Sequence, residues 1–244
     1  MAFEDLLKTF ESTLDKSKVT IFRLDGHSFS KFTSNFKKPF DYGFTTAMKE
    51  TTLKAFNYFK FSIGFVGSDE ITFCIFPKTN KTGELSDIDF SGRVEKMTTL
   101  LSGYVSVIFY KEFSKFYDLN EHYPHFDCRV FQVDSTQDAL KNISERITYT
   151  LKNSRMMFAQ SHFSAKKLHK LSSKQAIELV LEEKGEDFNI IISPDNRVGN
   201  VVINEVVEGE KDIDIKGVVK RINYTRNVPK LVNYSPLEVL DITF

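Results

Sequence analysis

An α+β fold of the ferredoxin-like type is predicted by three observations. Short apolar, β-branched stretches run into the turns Asp25-Gly26 and Gly67-Ser68-Asp69-Glu70. Two long segments, one before the second turn and one after it, carry apolar residues at helical spacing. The run then closes on a stretch of strand-like alternation, Phe126 to Val133. The order β-α-β-β-α-β is the split-βαβ arrangement, an antiparallel sheet with both helices on one face. The other face is expected to stay free for substrate. A C-terminal helical and β extension follows.

Each element has its own justification. Met1 to Asp15 is charged and patterned as an amphipathic helix. Lys18 to Leu24 (KVTIFRL) ends at Asp-Gly, a strand running into a turn. Asp41 to Lys60 lacks proline and repeats Phe44, Met48, Leu53, Ala55 and Phe56 near helical spacing. Phe61 to Val66 and Ile71 to Phe76 are strands joined as a hairpin by Gly-Ser-Asp-Glu. In Phe90 to Tyr117, Val94, Met97, Leu100, Leu101, Tyr104, Val105 and Ile108 recur on one helical side. A change of character after Asp134 divides a palm-like segment, 1–134, from a C-terminal region, 135–244. Ser135 with Asp138 can cap a helix reaching about Met157. A second helix is expected over Lys166 to Lys184, broken at Ser172-Ser173 and stopped by Gly185. Strands are expected at Asn189 to Ser193, Val198 to Val207 and Lys216 to Asn223, with Pro194-Asp195-Asn196 as a turn. The last twenty residues, with Pro229 and Pro236, read as extended wrapping segments.

Composition narrows the function classes. With Lys plus Arg equal to Asp plus Glu at 33 each, no global basic field advertises a nucleic-acid partner, so any RNA surface must be local. The 24 Phe and the absence of Trp point to a Phe-filled core. Cys74 and Cys128 match no zinc or redox spacing and are expected as reduced, buried thiols. There is no signal-peptide pattern and no apolar run near the ~20 residues of a membrane span. A soluble, cytoplasmic protein is expected.

Asp-Gly and Gly-Ser-Asp-Glu are each ordinary turn sequences. Together they put acidic residues at the ends of strands that the split-βαβ order makes neighbours. Paired carboxylates so placed, with a main-chain carbonyl such as that of Gly26, form a hard-oxygen set for divalent ions. Two Mg²⁺ ions held in this way can align a nucleophile with the phosphorus of a nucleotide. Lys37-Lys38-Pro39 lies within reach of phosphates, and Arg93 and Lys96, three apart on a helix, can face one phosphate. The densest basic cluster is Lys166-Lys167-Leu168-His169-Lys170 with Lys174 beyond, preceded by Arg146, Lys152 and Arg155. It can track a phosphate backbone or simply be a solvated helix face. His122 and His125 read as structural or incidental. There is no Ser-His-Asp triad pattern and no P-loop.

In order, these residues resemble the tRNA(His) guanylyltransferase superfamily of reverse-direction, 3′–5′ RNA polymerases. Arg23-Leu24-Asp25-Gly26-His27-Ser28-Phe29-Ser30-Lys31-Phe32 looks like its first motif and Lys37-Lys38-Pro39-Phe40-Asp41 like the next. Gly67-Ser68-Asp69-Glu70-Ile71-Thr72-Phe73 is similar to its second metal motif. Ser91-Gly92-Arg93-Val94-Glu95-Lys96 and Phe126-Asp127-Cys128-Arg129-Val130-Phe131 are similar to the two that follow. Arg155 to Phe158, Phe163 to Lys170 and Glu183-Lys184-Gly185 resemble the guanylyltransferase-like branch.

The resemblance implies a palm in which Asp25, the Gly26 carbonyl and Asp69 ligate two Mg²⁺, with Asp25, Asp69 and Glu70 as the catalytic carboxylates. It implies Arg23, Gly26, His27, Ser28, Phe29, Lys38, Asp41, Ser68, Arg93 and Lys96 around ATP, GTP or another nucleoside triphosphate. It also implies RNA contacts from Arg129, Arg146, Asn153, Arg155, Lys166, Lys167 and Lys170, and assembly as a homo-oligomer, a tetramer. A histidine of the eukaryotic tRNA(His)-specific enzymes falls at Leu151. An acidic residue falls at Tyr149, an aromatic one at Glu145, and a basic one at His27. These departures favour template-dependent addition to the 5′ end of truncated tRNA or other RNA over strict tRNA(His) guanylylation. The rival readings are a diguanylate-cyclase-like nucleotide cyclase, for which no GG-[DE]-E-F signature is present, and a non-catalytic RNA-binding module.

Overall fold

The computed structural model describes residues 11–119, 122–215 and 218–244. Strand β1 (Val19–Gly26) is followed by a short α1 (Phe29–Phe32) and a long α2 (Tyr42–Phe59). Strands β2 (Ile63–Gly67) and β3 (Glu70–Ile75) form the hairpin, α3 (Val94–Phe113) crosses back, and β4 (Phe126–Val133) completes the pattern. Their order across the sheet, β4-β1-β3-β2, is that of the predicted ferredoxin-like α+β fold, and all pairs are antiparallel. The sheet continues past the predicted four strands. A long hairpin, β5 (Asn200–Ile215) and β6 (Val218–Val232), joins it through β2, from Gly64↔Val202 to Val66↔Asn200. Pro229 lies within β6, opposite Asn204, rather than in a wrapping segment. It is tolerated there because β6 is the sheet's edge strand.

Two faces and three apolar clusters organise the interior. Helices α2 and α3 pack on one face, where Phe22, Leu24, Phe29, Phe56, Phe73, Phe109 and Phe113 are buried together. The Phe29 ring touches those of Phe32, Phe44, Phe109 and Phe126, at centroid separations of 5.3, 6.0, 5.4 and 5.0 Å. Each such ring taken from water contributes roughly 2–3 kcal/mol. The other face, expected to be free for substrate, is instead covered along much of its length by α4 (Thr136–His162). Ala139, Leu140, Ile143 and Ile147 of that helix pack on Val19, Ile21, Ile63, Phe65 and Cys74. The reason is legible in β1: Val19 and Ile21 alternate with Phe22 and Leu24, so the strand is apolar on both sides and requires cover on both.

Beyond α4 come α5 (Ala165–Leu168) and α6 (Ser173–Lys184), separated near Ser172 as the sequence predicts. Ser172 and Gln175 form a capping box on α6, and Gly185 ends it at φ 71°. Residues 189–193 are not a strand. Asp187 caps a short α7 (Phe188–Ile191), accepting from the Asn189 N–H at 2.7 Å. Phe188 and Ile192, four apart, then reach the third cluster with Phe158, Leu168, Ala176 and Val180, while Ile190 is left 84% exposed. Pro194–Val198 (α8) is likewise a helical turn, with proline in its first turn. Of the helix predicted over residues 1–15, only 11–15 lie within the described residues. They are not helical, and Thr13 bridges Arg93. Cys74 is buried, Cys128 partly so, and both are free thiols.

Candidate active site

The two acidic turns meet at one end of the sheet. Strand β1 pairs with β3 so that Asp25 lies opposite Glu70, and the Gly26 N–H donates to the Asp69 carbonyl at 3.1 Å. Both turns need their glycines. A Cβ on Gly26 would lie 2.4 Å from the Phe29 ring, and one on Gly67 would lie 2.5 Å from Thr150 Oγ1. The residues that follow carry the strain: Ser28 and Ser68 adopt φ of 57° and 56°, left-handed values unusual for a side chain with a Cβ. Such outliers persist where the surroundings over-determine them, as at the mouths of sites.

On the face covered by α4, the apolar residues of β1 give way to Arg23 and Asp25. The β1–β4 register sets Arg23 opposite Arg129 and Asp25 opposite Asp127. Like charges directly across a ladder repel, and the ionisation of Asp25 reflects it. Asp25 is pushed above the usual carboxylate pKa by burial first, then by the nearby charges of Asp69 and Asp127. Arg129 and Arg146 offset this only in part, because each of the surrounding cations has a nearer partner. Arg146 forks onto Glu70 with bonds of 2.7 and 2.5 Å, Arg23 lies 3.6 Å from the same carboxylate, and Arg129 pairs with Asp127 at 3.5 Å. Glu70 is nonetheless held above its ordinary pKa, because burial outweighs both arginines.

Two chambers open on either side of the Gly67-Ser68-Asp69 turn. The charged one, about 470 Å³, is lined by Arg23, Asp25, Asp69, Glu70, Asp127, Arg129, Arg146 and Tyr149. The other, about 330 Å³, has aromatic and aliphatic walls from Phe29, Phe36, Phe40, Phe44, Met48 and Met157, with Lys37, Lys38, Lys49 and Asp41 among them. Thr150 and Asn153 of α4 line both. An apolar cleft with a few convergent polar groups suits a base and ribose, and a charged neighbour suits phosphates. Ser154 Oγ, on the wall of the apolar chamber, is buried without a hydrogen-bond partner.

The remaining expected residues fall in different places. Lys38 donates to the Thr33 carbonyl at 3.2 Å on the chamber wall. Asp41 accepts from the Phe44 N–H at 2.8 Å and from the Tyr117 hydroxyl at 2.5 Å, so it caps α2 and pushes the Tyr117 pKa up to about 12. His27 stacks on His125 outside both chambers. Arg93 and Lys96 are not brought to the carboxylates within this chain. They start α3, where Met97 and Leu101 pack near Phe22 and Phe61, while Phe109 packs against Phe29 most of a 20-residue helix away. Arg93 pairs with Glu11 at 3.2 Å, and Lys96 lies 5.2 Å from the Phe90 ring centroid. Arg155, with its Nε buried and unpartnered, lines neither chamber. Lys166 and Lys170 are exposed on the outer lobe, where Lys167 pairs with Glu183.

Sequence reasoning missed Lys49, Asp195, Asn196 and Asn200. Asp195 accepts from Lys49 Nζ at 2.5 Å and from the side-chain amides of Asn200 and Asn233 at 2.9 and 3.1 Å. Thr45 Oγ1 donates to Asn196 at 2.9 Å. These bonds close the apolar chamber by tying α2 to the root of the C-terminal hairpin. The only local signal, Pro194-Asp195-Asn196, reads as a turn.

Asp25 and Asp69 line the same charged chamber, and as hard-oxygen donors they suit a divalent cation, whereas Gly26, whose carbonyl the resemblance implies as a third ligand, lines neither chamber. The supporting observation is that Asp25, Asp69 and Asp127 line one chamber, where burial and their mutual repulsion hold Asp25 above the usual carboxylate range against the pull of Arg129 and Arg146, a crowding that a bound cation relieves. Among the described residues no cluster of three or more His, Cys, Asp or Glu side chains suits a metal ion, so the carbonyl and solvent would complete the shell. Nor is any helix among them long and apolar enough to cross a membrane.

Comparison with known proteins agrees with this architecture. The fold is similar to a bacterial tRNA(His) guanylyltransferase (Thg1)-like protein in complex with ATP, at TM-score 0.75 and 23% identity over 83% of this chain and 85% of that one. A bacterial Thg1-like protein in complex with GTP gives TM-score 0.71 at 19% identity, covering 96% and 91% of the two chains. The Saccharomyces cerevisiae tRNA(His) guanylyltransferase gives 0.67 at 22% identity, covering 80% and 90%. In sequence, an uncharacterised protein of Acanthamoeba polyphaga mimivirus is 32% identical over 202 residues, 73% of this chain and 69% of the relative. The family model described as Thg1, tRNAHis guanylyltransferase, matches residues 3–134. With more than half of its length under that model, the chain belongs to the tRNAHis guanylyltransferase (Thg1) family of nucleotidyltransferases.

Proposed function

We propose that this protein adds nucleotides in the 3′–5′ direction to the 5′ end of tRNA or tRNA-like RNA, copying the opposing strand, as a 5′-end repair enzyme. The observation that carries the reading is the pair of chambers meeting at Asp69, one apolar and base-sized, the other charged and containing Asp25. In the first step an RNA 5′-phosphate oxygen attacks the α-phosphorus of ATP or GTP and pyrophosphate leaves. In the second, the 3′-hydroxyl of an incoming triphosphate attacks the activated 5′ phosphorus and the nucleoside monophosphate leaves.

Mg²⁺ held by Asp25, Asp69 and the Gly26 carbonyl would supply Lewis-acid activation of the attacking oxygen and neutralise the triphosphate. The remaining work falls to the chain. Phe36, Phe40, Phe44 and Met157 would seat the base and exclude water, and Lys38 on the same wall would turn from the Thr33 carbonyl towards the triphosphate. Arg23 and Arg129 would receive charge as it moves onto departing oxygens. Glu70 would act through Arg146, holding it against the chamber wall. Lys166, Lys167 and Lys170, together with Arg155, would track the RNA. Arg93 and Lys96 would act on a nucleotide bound by a neighbouring copy, as part of the homo-oligomer that the family resemblance implies.

Two positions on α4 favour general repair over tRNA(His)-specific guanylylation. Leu151, where the resemblance places a histidine of the tRNA(His)-specific enzymes, packs against the third apolar cluster. Tyr149 lies at the charged chamber with the Arg146 guanidinium 4.6 Å from its ring centroid. The test is incubation with Mg²⁺, labelled ATP or GTP and a pool of 5′-monophosphorylated truncated tRNAs, followed by sequencing of 5′ ends. Template-matched extension of several tRNAs is expected. Addition of a single G to tRNA(His) alone would favour the narrower enzyme. A cyclic nucleotide, or no turnover, overturns the proposal.

A further inference from the structure

The β1–β4 register places like residues opposite each other in successive rungs on one face: Arg23 with Arg129, then Asp25 with Asp127. The ladder runs one rung further. The His27 N–H donates to the His125 carbonyl at 2.9 Å, and the two imidazoles stack with centroids 4.9 Å apart and planes 21° from parallel. Both residues are exposed, and Tyr123 beside them is 72% exposed. The core does not require this stack, because the strand end is already anchored by buried Phe126 and Pro124 on either side of His125. A His125 ring nitrogen lies 2.9 Å from the Tyr123 carbonyl; since a carbonyl only accepts, the ring donates there, which fixes its plane. The result is a rigid, solvent-facing pair of flat rings about 7 Å along the strands from the Asp25–Asp127 rung.

We infer that the His27–His125 stack is a platform for the 5′-terminal base of the RNA substrate. The inference rests on the proposed reaction and adds to it a positioning surface. Reaction at a 5′ phosphate requires that phosphate at the carboxylates, and the base it carries must then lie one ribose away. The imidazole rung stands at that separation from Asp25. Flat exposed rings take any base on their faces, so the platform positions the RNA end without reading its sequence. This accommodates a polymerase that takes base identity from the opposing strand.

The test uses the full chain and an RNA carrying 2-aminopurine as its 5′-terminal base. Stacking quenches that fluorophore, so mixing with wild-type protein is expected to dim it without any turnover. The double variant His27→Ala, His125→Ala is expected to lose the quenching. It should also raise KM for 5′-phosphorylated RNA about tenfold, the loss that removing base–aromatic stacking produces, with kcat little changed. The pair His27→Phe, His125→Phe should keep both quenching and KM, and its melting temperature controls for the strand end. Equal quenching by the wild type and the Ala pair overturns the inference. So does a Phe pair that behaves like the Ala pair, which would assign the imidazoles a polar contact instead. Failure of the wild type to extend any RNA sinks the proposed function but leaves the quenching experiment readable.

Discussion

Arg146 reaches from the middle of α4 to hold Glu70 at the start of β3 with a two-pronged bond, Nε to Oε1 at 2.7 Å and Nη2 to Oε2 at 2.5 Å. Helix and sheet are thereby locked beside Asp69, with both side chains mostly shielded at 21% and 14% exposure. Replacing Arg146 with Ala strands a shielded carboxylate with only the more distant Arg23. The expected loss is about 3 kcal/mol of stability at neutral pH. Its pH dependence has a definite sign. Glu70 is raised in the folded state, and such a carboxyl adds stability below its unfolded pKa that is lost as pH rises through the folded value. Removing Arg146 raises it further. The deficit of the variant should therefore be small in acid, where Glu70 is protonated in both proteins, and full only above the still higher pKa that Glu70 has in the variant. Denaturant melts at a series of pH values measure this.

Asp25 and Asp69 are expected to trade stability for chemistry. Asp25→Asn and Asp69→Asn each remove a charge from a group of carboxylates that repel one another. Each variant should melt at the same or a higher temperature without divalent ions, a gain of up to about 1 kcal/mol. Nucleotide addition should fall below detection in both. A large loss of stability in either variant would mean that the carboxylate is structural and that the inactivity says nothing about catalysis.

Much of this site is legible in the chain because turns are local. Asp25-Gly26 and Gly67-Ser68-Asp69-Glu70 announce themselves by composition, and the β-α-β-β-α-β order alone makes their strands neighbours. Cover on the second face of the sheet was not foreseen, although KVTIFRL carries apolar residues on both sides of the strand. An apolar run does not say which partner buries it. The Lys49–Asp195 bond joins residues 146 positions apart, and no local pattern encodes such a pairing. The same limit applies to Arg93 and Lys96: their three-residue spacing suggests one helix face, but Arg93 is the extended N-cap of α3, and the spacing is silent about which end of the sheet they adjoin.

Their location makes a prediction about assembly. If Arg93 and Lys96 serve a nucleotide bound by a neighbouring copy, the double variant Arg93→Ala, Lys96→Ala and the variant Asp69→Ala should both be inactive alone. Mixed in equal amounts under conditions that let subunits exchange, they should recover activity. An intact site then needs Asp69 from one copy and the cations from the next, so about a quarter of sites are whole. Size-exclusion chromatography with light scattering gives the oligomeric state of each mixture. A monomer, or a mixture as inactive as its parts, rules the arrangement out.

The basic lobe yields a prediction that the ion pairs sharpen. Lys166, Lys167 and Lys170 lie together in sequence but are not equivalent. Lys167 is bound by Glu183 and lies 4.2 Å from the Phe163 ring centroid, so its charge is partly spent within the protein. Lys166 and Lys170 are exposed. Each phosphate contact contributes about 0.7–0.9 to the slope of log affinity against log salt. Changing all three lysines to Gln should therefore flatten that slope by about 1.5–2, nearer two contacts than three. Lys167→Gln alone should alter the slope little while freeing Glu183, and Glu183→Gln should steepen it by releasing Lys167 to the RNA. Filter-binding titrations of a truncated tRNA across a salt series separate these outcomes. An unchanged slope in the triple variant would put the RNA on another face, with the open edge of β4 next in line.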